Sequence, residues 1–128
     1  MKSPLDHARE LVEKAGNDLI SAQLLAESGQ VFDTSCFHAQ QTVEKCLKAV
    51  LAQHDVTYPR THDLLVLCDL VEPLLPSLQS HREMIVSLMP YAVAIRYSGF
   101  EPLVEDVEAA IAIAAEVYEL VDNVINPT

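Results

Sequence analysis

Three apolar stripes, each stepping alternately by three and four residues, constrain this chain more than any other feature. The first is Leu5, Ala8, Val12, Ala15, Leu19, Ala22 and Ala26; the second is Cys36, Ala39, Val43, Cys46 and Val50; the third is Leu103, Val107, Ala110, Ala114, Val117, Val121 and Val124. An α-helix turns once in about 3.6 residues, so this spacing keeps returning to one side of a helix. No segment alternates with period two between hairpin turns, as a strand pattern would. The stripes are too short for a coiled coil, so the helices must bury them on one another. The expected fold is all-α: an antiparallel up-and-down four-helix bundle with an additional short helix, one domain over residues 1–128.

Punctuation residues place the ends of these helices. Ser3 is a natural N-cap, Pro4 suits the first helical position, and Gly29 can close the first helix in the left-handed region. The second helix is expected to start near Asp33, Thr34 or Ser35, any of which can cap it. His54 to Arg60, with Tyr58-Pro59, reads as a loop. Thr61 is the expected cap of a short third helix that Pro73 stops. A fourth helical region, about Ser80 to Ile95, should be kinked or split by Pro90, which removes a backbone donor. Apolar residues off the stripes (Leu11, Ile20, Leu24, Leu25, Ile111, Ile113) are more than a monomeric bundle hides, so a symmetric homodimer is expected.

Charge narrows the function. The formal net charge is −11, and after Arg96 there is no Lys or Arg while seven carboxylates follow. Nonspecific binding to DNA or RNA rests on Lys and Arg neutralising phosphates, so it is not expected here. Cys36, Cys46 and Cys68 lie far apart in apolar runs and form no Cys-x-x-Cys pair, which reads as buried free thiols in a reducing compartment. Asp6 and Glu10 stand where a signal peptide would be apolar, and the longest uncharged stretch is broken by Pro90. A soluble, cytoplasmic protein is expected, with no membrane span.

Polar residues that could carry chemistry gather in three places. On the second helix Gln41, Glu44, Lys45 and Lys48 lie three or four residues apart, on a face turned away from Val43. They are expected either as a solvated face with a Glu44–Lys48 pair, or as a shelf where ammonium groups meet phosphate. His62 and Asp63 open the third helix; Asp63 suits the helix dipole, and His62 has a backbone carbonyl or a second-helix side chain as a structural partner. Arg96 and Tyr97 precede a Gly-containing turn, where an Arg can bind a phosphate or a carboxylate. No metal site and no cofactor are expected: no Glu has a His three residues on, and no glycine-rich phosphate loop occurs.

Taken in order, the blocks Gln40-Gln41-Thr42-Val43-Glu44-Lys45-Cys46-Leu47-Lys48-Ala49, Thr61-His62-Asp63-Leu64 and Arg96-Tyr97 resemble the HEPN family of small helical domains. The resemblance implies a homodimer and a minimal nucleotidyltransferase as partner, in a toxin–antitoxin-like pair. It also implies a nucleotide- or partner-binding surface around Gln41, Glu44, Lys45, Lys48, His62, Asp63, Arg96 and Tyr97. One departure matters. HEPN ribonucleases carry an Arg followed, after four to six residues, by a His, and here no His occurs after His81. The expectation is therefore a binding and regulatory protein with no catalytic residue. The alternative is a divergent metal-independent ribonuclease using Arg96 and His62.

Overall fold

Ser3 starts the first helix by exchanging hydrogen bonds with Asp6. Its hydroxyl accepts from the Asp6 amide at 3.1 Å, and the Asp6 carboxylate accepts from the Ser3 amide at 3.2 Å. That backbone contact with Ser3 holds the Asp6 carboxyl below its ordinary range. The helix, α1, spans Pro4–Ser28 and ends at Gly29, whose φ of 70° lies in the left-handed region. Nothing lies within 4 Å of a Cβ built there, so only the backbone opposes a side chain. Gly29→Ala should therefore cost about 1–2 kcal/mol, read as a lower urea midpoint with an unchanged slope.

The computed structural model describes residues 1–94 and 101–128. After α1 come α2 (Phe32–Gln53), α3 (Leu64–Val71), a 3₁₀ turn (Pro76–His81), α4 (Arg82–Val86), α5 (Tyr91–Ala94) and α6 (Val104–Ile125). No strand occurs among the described residues. Facing residues fix the directions. Arg9 bonds Asn126 and Gly16 faces Tyr118, so α1 and α6 are antiparallel. The short loop at 29–31 turns α2 back along α1. His62 meets Glu44 and Tyr91 meets Cys36, so the segments from α3 to α5 form the return leg beside α2. This is the expected up-and-down order, with the third leg made of short pieces.

The core is centred on α2, which packs against α1, α3, α5 and α6. Its Cys36, Ala39, Val43, Cys46, Leu47, Val50 and Leu51 are fully buried. On α1 the small residues Ala8, Ala15 and Ala22 are also fully buried, and they let the two backbones approach closely. Ser35 uses its hydroxyl across this interface, donating to the Ala22 carbonyl at 2.7 Å.

Several expected boundaries differ. The second helix starts at Phe32, with Val31 before it and no side-chain cap. Phe32 packs against the core and Ser35 is committed to α1, so burial sets this end. Asp63, not Thr61, caps α3: its carboxylate accepts from the Leu65 and Val66 amides at 2.9 and 3.4 Å, while the Thr61 hydroxyl accepts from the Asp63 amide. The expected region from Ser80 to Ile95 is split at Pro90, and it is divided again before that point. Pro76 opens the 3₁₀ turn, residues 87–90 form a further turn before α5, and Ile95 lies outside the described residues. Leu78, Ile85 and Leu88 each reach the core from these pieces, so anchoring survives without a continuous helix. Leu103 precedes α6 and is exposed, so the third stripe begins at Val107.

The apolar surplus is smaller than expected. Ile113 is buried and Leu11, Leu25 and Ile111 are half-buried, which leaves Ile20 and Leu24 exposed at 55% and 61%. Among the described residues no helix is long and apolar enough to cross a membrane.

All three cysteines are free and buried. Burial pushes the thiols of Cys36 and Cys68 up to about 11, and Cys46 is raised as well. Since the thiolate is the nucleophile, alkylation of folded protein at pH 7.5 should be slow. Mass spectrometry should show rapid triple modification only after denaturant is added.

Candidate functional site on the polar face of α2

The central position of α2 decides the character of its polar residues. A helix packed on several sides leaves its polar face covered at the edges, and buried polar groups must then find partners. Glu44 is 3% exposed and finds three. Its Oε1 accepts from His62 Nδ1 at 2.8 Å and from Gln40 Nε2 at 3.2 Å, and its Oε2 accepts from Lys48 Nζ at 3.1 Å. Gln41 extends the chain by donating to Gln40 Oε1 at 2.7 Å. Lys48 also stands 5.9 Å from the centre of the Tyr58 ring, a cation–π distance.

A second cluster lies on the side facing α1. Asp18 there accepts from His38 Nδ1 at 2.8 Å and pairs with Lys45. The two clusters repeat one chemistry, a carboxylate holding a lysine and a histidine. With neutral imidazoles, the two carboxylates cancel the two ammonium groups. Lys45 and Lys48 are thus already neutralised, which limits their pull on a phosphate.

Of the expected site residues, Gln41, Glu44, Lys48 and His62 come together around Glu44, while Lys45 sits in the neighbouring Asp18 cluster. They are not a solvated face: Glu44 is buried, and the Lys48 and Lys45 side chains are only 16% and 27% exposed. The cover comes from α1 and from the segment Tyr58–His62. Asp63 turns away to cap α3. Arg96 and Tyr97 lie outside the described residues. Gln40, the first residue of the block quoted from the sequence, joins the site, and so do Asp18, His38 and Tyr58, none of which the sequence marked as a site residue.

A cleft of about 370 Å³ adjoins the site between the start of α1 and the loop after α2, lined among others by Lys2, His7, Ala52, Asp55, Thr57 and Tyr58. The Tyr58 hydroxyl, 3.5 Å from His7 Nε2, links this cleft to the Glu44 cluster through its own ring. Among the described residues no group of three or more His, Cys, Asp or Glu is placed to hold a metal ion.

The HEPN domain family model matches residues 8–124 of the chain. The chain belongs to the HEPN family. Its fold is also that of an archaeal HEPN homologue of known crystal structure, with a TM-score of 0.72 over 98% of this chain and 100% of that one, at 21% identity. No curated protein matches it. In this HEPN domain the Gln-Gln and Glu-Lys block is the middle of α2, and the Thr-His-Asp block supplies both the Glu44 partner and the α3 cap.

Proposed function

We propose that this HEPN domain is a binding and regulatory module. In this reading it is a homodimer that pairs with a minimal nucleotidyltransferase, in a toxin–antitoxin-like system. It meets the partner, or the partner's nucleotide, with Gln41, Lys45, Lys48 and His62. The observation that carries the reading is the closed polar network around Glu44. Each of its groups already has a partner, so the surface is pre-ordered and binding costs little side-chain entropy. The acidic outer side of α6, with Glu105, Glu108, Glu116 and Glu119 exposed, favours a partner with a basic surface.

The test is to look for a minimal nucleotidyltransferase gene beside this one and to titrate purified protein with its product by calorimetry. Saturable binding that weakens as salt is raised is expected, and no heat of binding at any salt concentration would refute the pairing. Light scattering at micromolar concentration should give twice the 14.1 kDa of one chain. A single-chain mass would rule out the homodimer.

One observation favours the ribonuclease reading with Arg96 and His62. Glu44 fixes the His62 ring, and an oriented imidazole is what proton transfer requires. Against it stand the missing Arg-to-His spacing and the charge of −11, which repels RNA. Purified protein should cleave RNA poorly or not at all. Robust cleavage abolished by both Arg96→Ala and His62→Ala would make the enzyme reading the better one.

A further inference from the structure

His62 differs from the other four histidines in one respect. Its side chain is 62% exposed, yet its Nδ1 is held by a carboxylate that is itself 4% exposed. His38 also meets a carboxylate, but it is 27% exposed and shares Asp18 with Lys45. His54 Nδ1 lies 3.1 Å from the backbone carbonyl of Val50, His7 has the Tyr58 hydroxyl at 3.5 Å and no carboxylate within ion-pair distance among the described residues, and His81 has Ser80 and Ser77 with Glu116 at 3.8 Å. A carboxylate accepts and never donates, so the His62 proton sits on Nδ1 and the lone pair is on Nε2. The Gln40 and Lys48 bonds keep Glu44 from swinging away.

We propose that His62 is a covalent acceptor site, whose outward Nε2 takes a phosphoryl group from a small-molecule phosphoryl donor. The ring becomes positive when Nε2 bonds to phosphorus; the negative phosphoryl oxygens offset that charge, and Glu44 keeps accepting the Nδ1 proton and holds the ring in place. A neighbouring cation is at hand. Arg60 is exposed, makes no ion pair among the described residues, and lies two residues before His62, so their Cα atoms are at most about 7.6 Å apart. Its guanidinium fork matches phosphoryl oxygens.

The step balances without a further reactant. The Nε2 lone pair attacks phosphorus and forms the N–P bond. The bond from phosphorus to the donor's leaving group breaks, and the leaving group keeps the electron pair. With phosphoramidate in its zwitterionic form, the leaving group is ammonia, and the Nδ1 proton stays between the ring and Glu44. The inference is independent of the pairing with a nucleotidyltransferase.

The test treats the folded full chain with phosphoramidate and follows each histidine by mass spectrometry under alkaline handling. His62 should be phosphorylated about tenfold faster than His7, the size of effect an orienting carboxylate commonly has. Glu44→Gln, checked for retained helicity, should bring His62 down to the His7 rate, and Arg60→Ala should slow His62 without touching His7. In the unaltered protein, a His62 rate no greater than that of His7 overturns the proposal, and this comparison needs no variant. A folded Glu44→Gln protein with an unchanged His62 rate overturns it equally.

Discussion

Glu44→Ala should lower the stability of the domain by about 3–5 kcal/mol, the cost of removing one partner from a buried charge pair. Lys48 would be left 16% exposed with no carboxylate, and the Gln40 amide, fully buried, would lose its acceptor. Glu44→Gln, which keeps the volume and one acceptor oxygen, should lose less. Urea unfolding followed by circular dichroism gives both numbers. An alanine variant within about 0.5 kcal/mol of the parent would place Glu44 among ordinary surface positions and remove the network from the account.

Leu47→Ala is expected to cost a similar amount for a different reason. Leu47 is fully buried on α2, the helix that touches every long element of the bundle. Truncation removes its transfer energy and leaves a cavity that the neighbouring helices fill only in part, together about 2–5 kcal/mol. The two variants separate the polar and apolar supports of α2. Leu47→Ala should leave the His62–Glu44 contact intact, and Glu44→Ala should release the Tyr58–His62 segment. Faster amide exchange in residues 58–62 of the Glu44 variant alone is the expected signature.

The sequence carries the helices more plainly than it carries their ends or their polar partners. The stripes of α1, α2 and α6 follow from spacing because one buried face per helix leaves a periodic trace. The end of α2 at Phe32 leaves none, since it depends on where Phe32 and Ser35 meet the rest of the core. The same is true of the pieces between Pro76 and Ala94, each held by a single apolar anchor and too short for a period. In the site, Gln41, Glu44, Lys45, Lys48 and His62 are legible as a block. Spacing alone leaves a solvated face and a phosphate-binding shelf equally open, because it cannot show that α2 is central and covered on both sides of its polar face. Asp18 could be found only by laying α1 beside α2: it stands three residues after Ala15 and four before Ala22, at the edge of a stripe that faces Lys45. Asp63 was legible as favourable near a helix start, but its exact role needed the direction of its carboxylate.

In the proposed reading, the polar face of α2 and its His62 partner form a docking surface. Affinity for the minimal nucleotidyltransferase, measured by calorimetry for Lys48→Ala, His62→Ala and the control Lys14→Ala, tests it most directly. Lys14 is exposed on α1, makes no ion pair within 4 Å among the described residues, and lies outside the polar face of α2. Each of the first two variants should weaken binding about tenfold, which is about 1.4 kcal/mol, while Lys14→Ala should bind as the parent does. Parent-like affinity for both Lys48→Ala and His62→Ala, in protein shown to be folded, would contradict it.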